Sequence, residues 1–412
     1  MASTRLWYLA IAKETTRGVA ANPVKFIRFK EGDINYSQEV VENNPIQNNR
    51  RNAIDSVAGK VETNWSYKVD VDPNEVARWL ITALWQSNTS DVGTPANGTV
   101  FEHVLDHACR VWSLTIEQGK GELCDDPLTN DWQRYEVVRS YWVMIDSFKI
   151  SGSDSILEAE ASLKSHGQFN MADMVSNPVS DVYYWNKTEW LLVWDTVKLY
   201  KWSDGSFEIA EIDTIDPVTN AIEFVTPPSG TYTVADEVKI ELVPQTPSYQ
   251  EKRTFSFYHT KFRFADTIAN AYASIDENVE NREIEYMNNL EERYGSKRQS
   301  ASVIWEKGNW CKIKFEKYFE TVADRDRYLR QTKQSCVVTM SNNEIVSATD
   351  TTQNKYAITF EFSDIRFTAY EMPTGTDELY AIKAEGTAFF DNTDGRAVRI
   401  KVKNKNAATY YA

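Results

Sequence analysis

The 412-residue chain is poor in the residues from which reactive and metal sites are built. It has four cysteines, Cys109, Cys124, Cys311 and Cys336, with no CxxC spacing among them. That is too few for a disulfide framework at this length, and reduced thiols in a cytoplasm are the plain reading. None of the four histidines lies beside a recognisable nucleophile motif, which removes support for a hydrolase triad. The GKG at Gly119 to Gly121 lacks the lysine and hydroxyl residue that complete a phosphate loop. No apolar run approaches the roughly 20 residues of a membrane span, and Leu6 to Ala12 is too short and wrongly flanked for a secretory signal. Synthesis and folding in the cytosol is the expectation. A basic excess is missing too. The net charge of -15 argues against gripping nucleic acid by neutralising phosphates, yet it suits a wall past which DNA must move without sticking.

Signals for chemistry are weak. His103, His107 and Cys109 in HVLDHAC have spacings compatible with a shared face, but no second cluster completes a tetrahedral set, and the pattern reads as a strand edge. IDTIDPVTN (Ile212 to Asn220) lacks the central glycine and terminal glutamate of a calcium loop and reads as a β-turn. No metal or cofactor is expected. Glu158 with Glu160, or Asp324 with Asp326, could in principle form a glycosidase-type carboxylate pair, but in alternating or helical surface runs such pairs are usually solvated faces. A non-enzymatic protein is the expectation.

What is present points to strands. Hydrophobic residues make up 42% and aromatics 13% of the chain, and Val, Ile and Thr are spread in short alternating runs, which predicts a mainly β (α+β) fold. The length implies two or three cores. In KVETNWSYKVDVDPNEVARWL (Lys60 to Leu80), Val61, Thr63, Trp65, Tyr67 and Val69 alternate with polar residues, the mark of a half-buried strand. Asp72, Pro73 and Glu75 resemble a capping box opening a helix. A polar loop (Gln86 to Gly98) follows, and then further strands, including SYWVMIDSFKISG (Ser140 to Gly152) and LEAEASLKSHGQF (Leu157 to Phe169).

A second unit repeats this order. KFRFA (Lys261 to Ala265) parallels KFIRF, WCKIKFEKYFE supplies the strand and VADRDRYLRQTK the helix, and KYAITFEFSDIRFTAY and LYAIKAEGTAFF match the later strands. Between the units, Val197 to Val243 consists of short strands broken by DG, DP and PPSG turns, a small all-β module. The expected division is residues 1–180, 181–250 and 251–412. Each unit carries a long polar excursion, Glu42 to Lys60 and Glu277 to Gln299. Long structureless loops in compact domains tend to be functional, and these mix charges densely, as suits polar intersubunit contacts that order on assembly. The candidate contact residues are Asn48, Arg50, Arg51 and Asp55 in the first, and Arg282, Glu283, Glu285, Glu291, Glu292 and Arg293 in the second.

The AKETTRGVAANPVKFIRF opening, the NNRRNAIDSVAGKVETNWSYKVDVDPNEVARWLITAL block and the SYWVMIDSFKISG and EAEASLKS strand pair together resemble the tail tube (major tail) proteins of long, flexible-tailed bacteriophages. The resemblance covers roughly residues 1 to 180 and 250 to 412. It implies a β-sandwich-like or barrel-like domain with a flanking helix and a long loop or hairpin that reaches the next ring. Hexameric rings, or trimers of a duplicated chain with pseudo-sixfold symmetry, would stack into the tube through which DNA is ejected into the host. It further implies a virion location, and as partners other copies of the chain, a tape measure protein and tail terminator and tip proteins. On that reading the central module is an outward decoration. The rival is a carbohydrate-binding or adhesin-like β protein, suggested by Trp185, Trp190, Trp194 and Trp202, since exposed tryptophans stack on sugars.

Overall fold

The computed structural model describes residues 4–43, 55–80, 85–92, 100–107, 111–123, 136–152, 155–167, 169–296, 299–318, 323–348, 352–371 and 381–407. The fold is mainly β. The first part comprises β1 (Thr4–Lys13), β2 (Lys25–Ile27), β3 (Glu31–Asn43), β4 (Asp55–Asp70), α1 (Glu75–Trp79), β5 (Trp85–Asp91), β6 (Phe101–His107), β7 (Leu114–Leu123), β8 (Glu136–Gly152) and β9 (Glu158–Ser165). Next come β10 (Met171–Val179), β11 (Val182–Trp185), β12 (Thr196–Lys201), β13 (Phe207–Asp216), β14 (Ala221–Phe224) and β15 (Val238–Leu242), which close into a six-stranded barrel. The last part holds β16 (Thr260–Ala265), α2 (Ile268–Ala273), β17 (Val279–Met287), β18 (Leu290–Tyr294), β19 (Ala301–Glu306), β20 (Trp310–Tyr318), α3 (Ala323–Arg330), β21 (Gln334–Ile345), β22 (Lys355–Glu371), β23 (Ala381–Phe389) and β24 (Val398–Asn404).

The first and last parts pair their strands in one order. In the first half it is β1-β7-β8-β9-β4-β3, and in the second β16-β21-β22-β23-β20-β17. Two bulges recur at matching places. The β7–β8 ladder shifts after Leu114↔Val143 and the β21–β22 ladder after Gln334↔Ile365. Two residues further along the long strand, the shift after Ile145↔Leu163 matches that after Phe367↔Gly386. Through these ladders positions in the six strands of one half have counterparts in the six of the other. Trp65 lies between Ile34 and Leu163 as Ile313 lies between Ile284 and Gly386, so Ile34 corresponds to Ile284 and Tyr36 to Tyr286.

Several expectations change. KFRFA, as β16, pairs with β21 as β1 pairs with β7, so its counterpart is β1 and not KFIRF, whose β2 lies on the other edge of β1. The barrel begins at Met171, ten residues before the anticipated boundary, because β10 closes it by pairing with β15 (Ala172↔Ile240). Residues 86 to 98 are not all loop, since β5 pairs with β6. β6 in turn pairs with β24, so HVLDHAC begins in an interior strand that joins the halves, not on an edge. The polar excursion from Glu277 contains strands β17 and β18, whose alternation of Ile284 and Tyr286 with Glu283 and Glu285 has period two.

One apolar core runs through both halves, from Leu9, Trp65, Tyr67 and Trp79 to Phe262, Phe315 and Phe367. The alternation of β4 is realised as expected: Thr63, Trp65, Tyr67 and Val69 are buried. The capping box at α1 is half formed: the Asp72 bond is made and the reciprocal Glu75 bond is not. Asp72 Oδ1 accepts the N–H groups of Asn74 (2.7 Å) and Glu75 (3.3 Å), and its other oxygen accepts the N–H of Arg253. Glu75 turns instead to Arg28, 2.8 Å away.

Burial, helped by the Asp72 carboxylate, pushes Glu75 from 4.5 up to about 7 against the pull of Arg28. A carboxyl that binds its proton more tightly when folded contributes stability fully below about pH 4.5 and loses it as pH rises through about 7. Glu75→Gln should therefore gain on the unsubstituted chain by on the order of 2–3 kcal/mol between about pH 5 and pH 8. Denaturant melts of both proteins across that range measure the difference, and parallel pH curves would mean that Glu75 titrates normally.

Candidate assembly interface

Eight antiparallel strands form a continuous ribbon in the order β3-β4-β9-β8-β17-β20-β23-β22. On one face, alternate side chains enter the core. On the other lie polar and charged side chains paired across strands: Lys68 with Glu158 (2.7 Å), Lys149 with Glu283 (2.8 Å), Lys312 with Glu385 (2.6 Å) and Lys383 with Glu316 (3.3 Å). A hollow of about 560 Å³ on this face is lined by Ser151, Glu283, Lys314, Glu316, Lys383 and Glu385.

The halves meet in the middle of the ribbon. The final stretch of β8, Ser147 to Gly152, pairs with Met287 to Arg282 of β17. Just beyond, the N–H of Asn288 donates to the Asp146 carbonyl (2.8 Å) and that of Leu290 to Asp146 Oδ1 (2.7 Å). The Asn288 side-chain amide donates to the Ile145 carbonyl (2.7 Å), and Lys164 donates to the Leu290 carbonyl (2.8 Å). The β18–β19 hairpin then lies as an arm across the first half, burying Leu290, Ala301 and Ile304 against Val111 and Met144. Arg17 fastens its far side to Glu306 at 2.8 Å.

The ends of the ribbon are the counterparts of this seam and are unpaired. Among the described residues β3, the counterpart of β17, pairs with β4 alone. On β22, the counterpart of β8, the last pair with β21 is Gln334↔Ile365, and no described strand flanks that edge beyond it. Exposure follows pairing. Tyr286 in the seam is 6% exposed and its counterpart Tyr36 on the open edge 50%; Leu290 is 5% exposed and its counterpart Val40 61%.

Of the residues singled out from sequence, Glu283 and Glu285 lie on the polar face of β17, not in a loop, because strand pairing absorbs the excursion. Lys149 and Lys314, salt-bridged to Glu283, hold it below the usual carboxylate range against the opposing effect of partial burial. Arg282 points the other way and is buried, donating to the carbonyls of Thr260 and Val279. Glu291 and Arg293 are on β18, where Glu291 pairs with Lys307 at 2.8 Å. Burial raises Glu292, which accepts from the Tyr294 hydroxyl. Asp55 opens β4 opposite Asn43, while Asn48, Arg50 and Arg51 lie outside the described residues. The seam residues Asp146, Lys164, Asn288 and Leu290 were missed. Their sequence neighbourhood carries no mark, since what distinguishes them is a partner more than a hundred residues away.

The other candidates resolve into structure. Glu158 is held by Lys30 and Lys68, and its carboxyl is lowered chiefly by the Lys68 bond. His103 is buried, its Nε2 lying 3.2 Å from Asn404 Oδ1. Among the described residues no three His, Cys, Asp or Glu side chains cluster as metal ligands, and Cys109 lies outside them. Asp216 closes the β13–β14 turn by accepting from the Val218 N–H and the Thr219 hydroxyl. Trp185 and Trp190 fill the barrel core, whereas Trp194 and Trp202 are exposed, with the Lys239 ammonium 5.0 Å from the Trp202 ring centroid.

The barrel is anchored to the first half by a buried ionic triad. Arg139 donates to Glu117 (2.6 and 2.9 Å), to Asp195 (2.6 and 3.0 Å) and to the Trp190 carbonyl (3.0 Å). Tyr8 and Gln245 donate to the other oxygen of Glu117. Among the described residues no helix is long and apolar enough to cross a membrane. No protein-family model matches the chain, and no curated protein matches it significantly.

Proposed function

We propose that the chain is a structural, non-enzymatic subunit that closes into rings through its two open strand edges, and that the rings stack into a tube of the bacteriophage tail type through which DNA passes. One observation carries this reading: β3 and the end of β22 are the unpaired counterparts of β17 and β8, which are joined within the chain. Pairing β3 of one chain with β22 of the next repeats the internal seam. It relieves both edges of the exposure that otherwise invites aggregation, and a head-to-tail contact of this kind forms a ring where its rotation closes.

The chain is read here as a duplicated domain, so three copies stand for six domains. Eight ribbon strands per chain then give a barrel of about twenty-four, which at ~4.8 Å spacing and ~40° tilt is about 45–50 Å across between backbones. The polar face would line the lumen, its carboxylates partly neutralised by lysines and lacking the basic excess that would bind passing DNA. A tape measure protein and terminator and tip proteins are the partners such a tube requires, and the barrel would project outward.

Sedimentation velocity and negative-stain microscopy of the purified full chain test the proposal. Rings with threefold symmetry, or tubes built from them, are expected. A strictly monomeric species over the micromolar range would overturn it.

A further inference from the structure

We propose that the contact between neighbouring chains is ionic where the contact inside the chain is apolar: the β3 segment Gln38 to Val40 of one chain seats against Arg366, Thr368 and Phe389 of a second copy, with the Glu39 carboxylate on the Arg366 guanidinium. This rests on the ring reading above.

The correspondence of the halves locates the contact. Gln38 and Val40 are the counterparts of Asn288 and Leu290, which bond to Ile145 and Asp146 and, at Leu290, pack on Met144 inside the chain; Glu39 between them is the counterpart of Asn289, whose side-chain amide donates to the Gly308 carbonyl. The counterparts of Met144, Ile145 and Asp146 on the other half are Arg366, Phe367 and Thr368, by the register through the shared bulges. Chemistry differs at each place. Met144 is buried beneath the arm, but Arg366 is half exposed, bonded to Asp364 at 3.0 and 3.3 Å and stacked 5.2 Å from the Phe389 ring centroid. Asn289 is neutral, but Glu39 is an exposed acid. An acid on the arm and a cation on its seat are complementary, and an exposed valine beside an exposed phenylalanine adds apolar contact.

A further detail agrees. The Ile145 carbonyl accepts the Asn288 side-chain amide, whereas the Phe367 carbonyl, with no arm upon it, accepts the Gln331 side chain at 3.0 Å. Gln38 of the neighbour carries the amide that replaces it. The charge difference also separates the two seams in kind. The internal one rests chiefly on backbone bonds and apolar burial, with the Lys149–Glu283 and Arg17–Glu306 pairs at its surface, and should respond to salt only weakly. The one between chains is screened by it, so ring closure is reversible and two arms do not exchange seats.

The experiment uses the full chain at about 50 mM and about 500 mM salt, with association read by sedimentation and fold by circular dichroism. The unsubstituted chain should associate more weakly at high salt. Glu39→Arg and Arg366→Glu should each weaken association about tenfold or more at low salt, and combining them should restore it. Glu39→Gln and Arg366→Gln, which remove charge without reversing it, give smaller losses in the same direction and serve if a reversal disturbs folding. Assembly indifferent to salt and to all four substitutions would overturn this inference and leave the ring reading standing. A chain that is monomeric at both salt concentrations would remove both.

Discussion

Replacing Tyr36 by aspartate should yield a folded chain that no longer assembles. Tyr36 lies on the open edge of the ribbon with half its surface exposed, while its counterpart Tyr286, on a paired strand, is almost fully buried. Closing a ring on β3 would bury Tyr36 as β8 buries Tyr286. An aspartate there forfeits about 1–2 kcal/mol of apolar burial and adds an ionised group to a surface that must lose water, a further cost of roughly 2 kcal/mol or more. The sum corresponds to at least about a hundredfold loss in association at each seam. The isolated chain should hardly notice, because the position is already in solvent, and its melting temperature should stay within about 2 °C. Tyr286→Asp is the internal control. It places a charge inside the existing seam and should destabilise the chain itself by more than about 3 kcal/mol. Sedimentation and thermal melts of the two variants separate the effects. Unchanged assembly by the Tyr36 variant would mean that β3 is not the edge that pairs.

Arg139→Ala should cost about 3–5 kcal/mol of folding stability and loosen the barrel from the first half. The guanidinium is 1% exposed and bonds two carboxylates, Glu117 at 1% and Asp195 at 9% side-chain exposure. Removing the cation strands both acids in a site that water does not reach. The loss is a penalty of breaking the set, not the net worth of its bonds. An Arg139→Met, Glu117→Gln, Asp195→Asn triple variant should accordingly recover most of it. Denaturant melts give the two energies. Limited proteolysis near the barrel junctions, at residues 167–170 and 243–250, reports whether the module has come free. A single variant as stable as the parent would show that the acids find other partners.

If the barrel is a decoration, this anchor makes it a rigid one. The triad joins β7 and β8 to the barrel loop at Asp195, and the Gln245 backbone N–H donates to the Tyr8 hydroxyl at 3.1 Å. Among the described residues the corresponding face of the second half carries no such module. There the outward positions of β16, β21, β22 and β24 line a hollow with Arg263, Thr339, Thr359 and Lys401. A ring of such chains would carry one barrel for every two sandwich units, so its exact symmetry would be threefold even though its ribbon approximates six.

The sequence by itself determined the class of fold and the character of its surfaces. Alternation in Thr63, Trp65, Tyr67 and Val69 is a local period, and a sheet with one buried face realises it wherever the strand is placed. The turns of the small barrel, such as Asp216 to Asn220, are likewise set by side chains bonding their own backbone. The same period was present in Arg282 to Tyr286, but dense charge on the polar face disguised it as a loop. The similarity of KFIRF and KFRFA misled in the opposite direction, because resemblance between short strands says nothing of which neighbour each will bond. Pairing is a long-range choice made by the whole sheet. Only the tertiary structure decided that β17 joins β8, that β6 crosses to β24, and that Tyr36, Val40 and Arg366 are the exposed counterparts of buried Tyr286, Leu290 and Met144. A strand's inward face is written in its own residues, whereas its edge is backbone, nearly alike for every sequence, and acquires meaning only from what lies beside it.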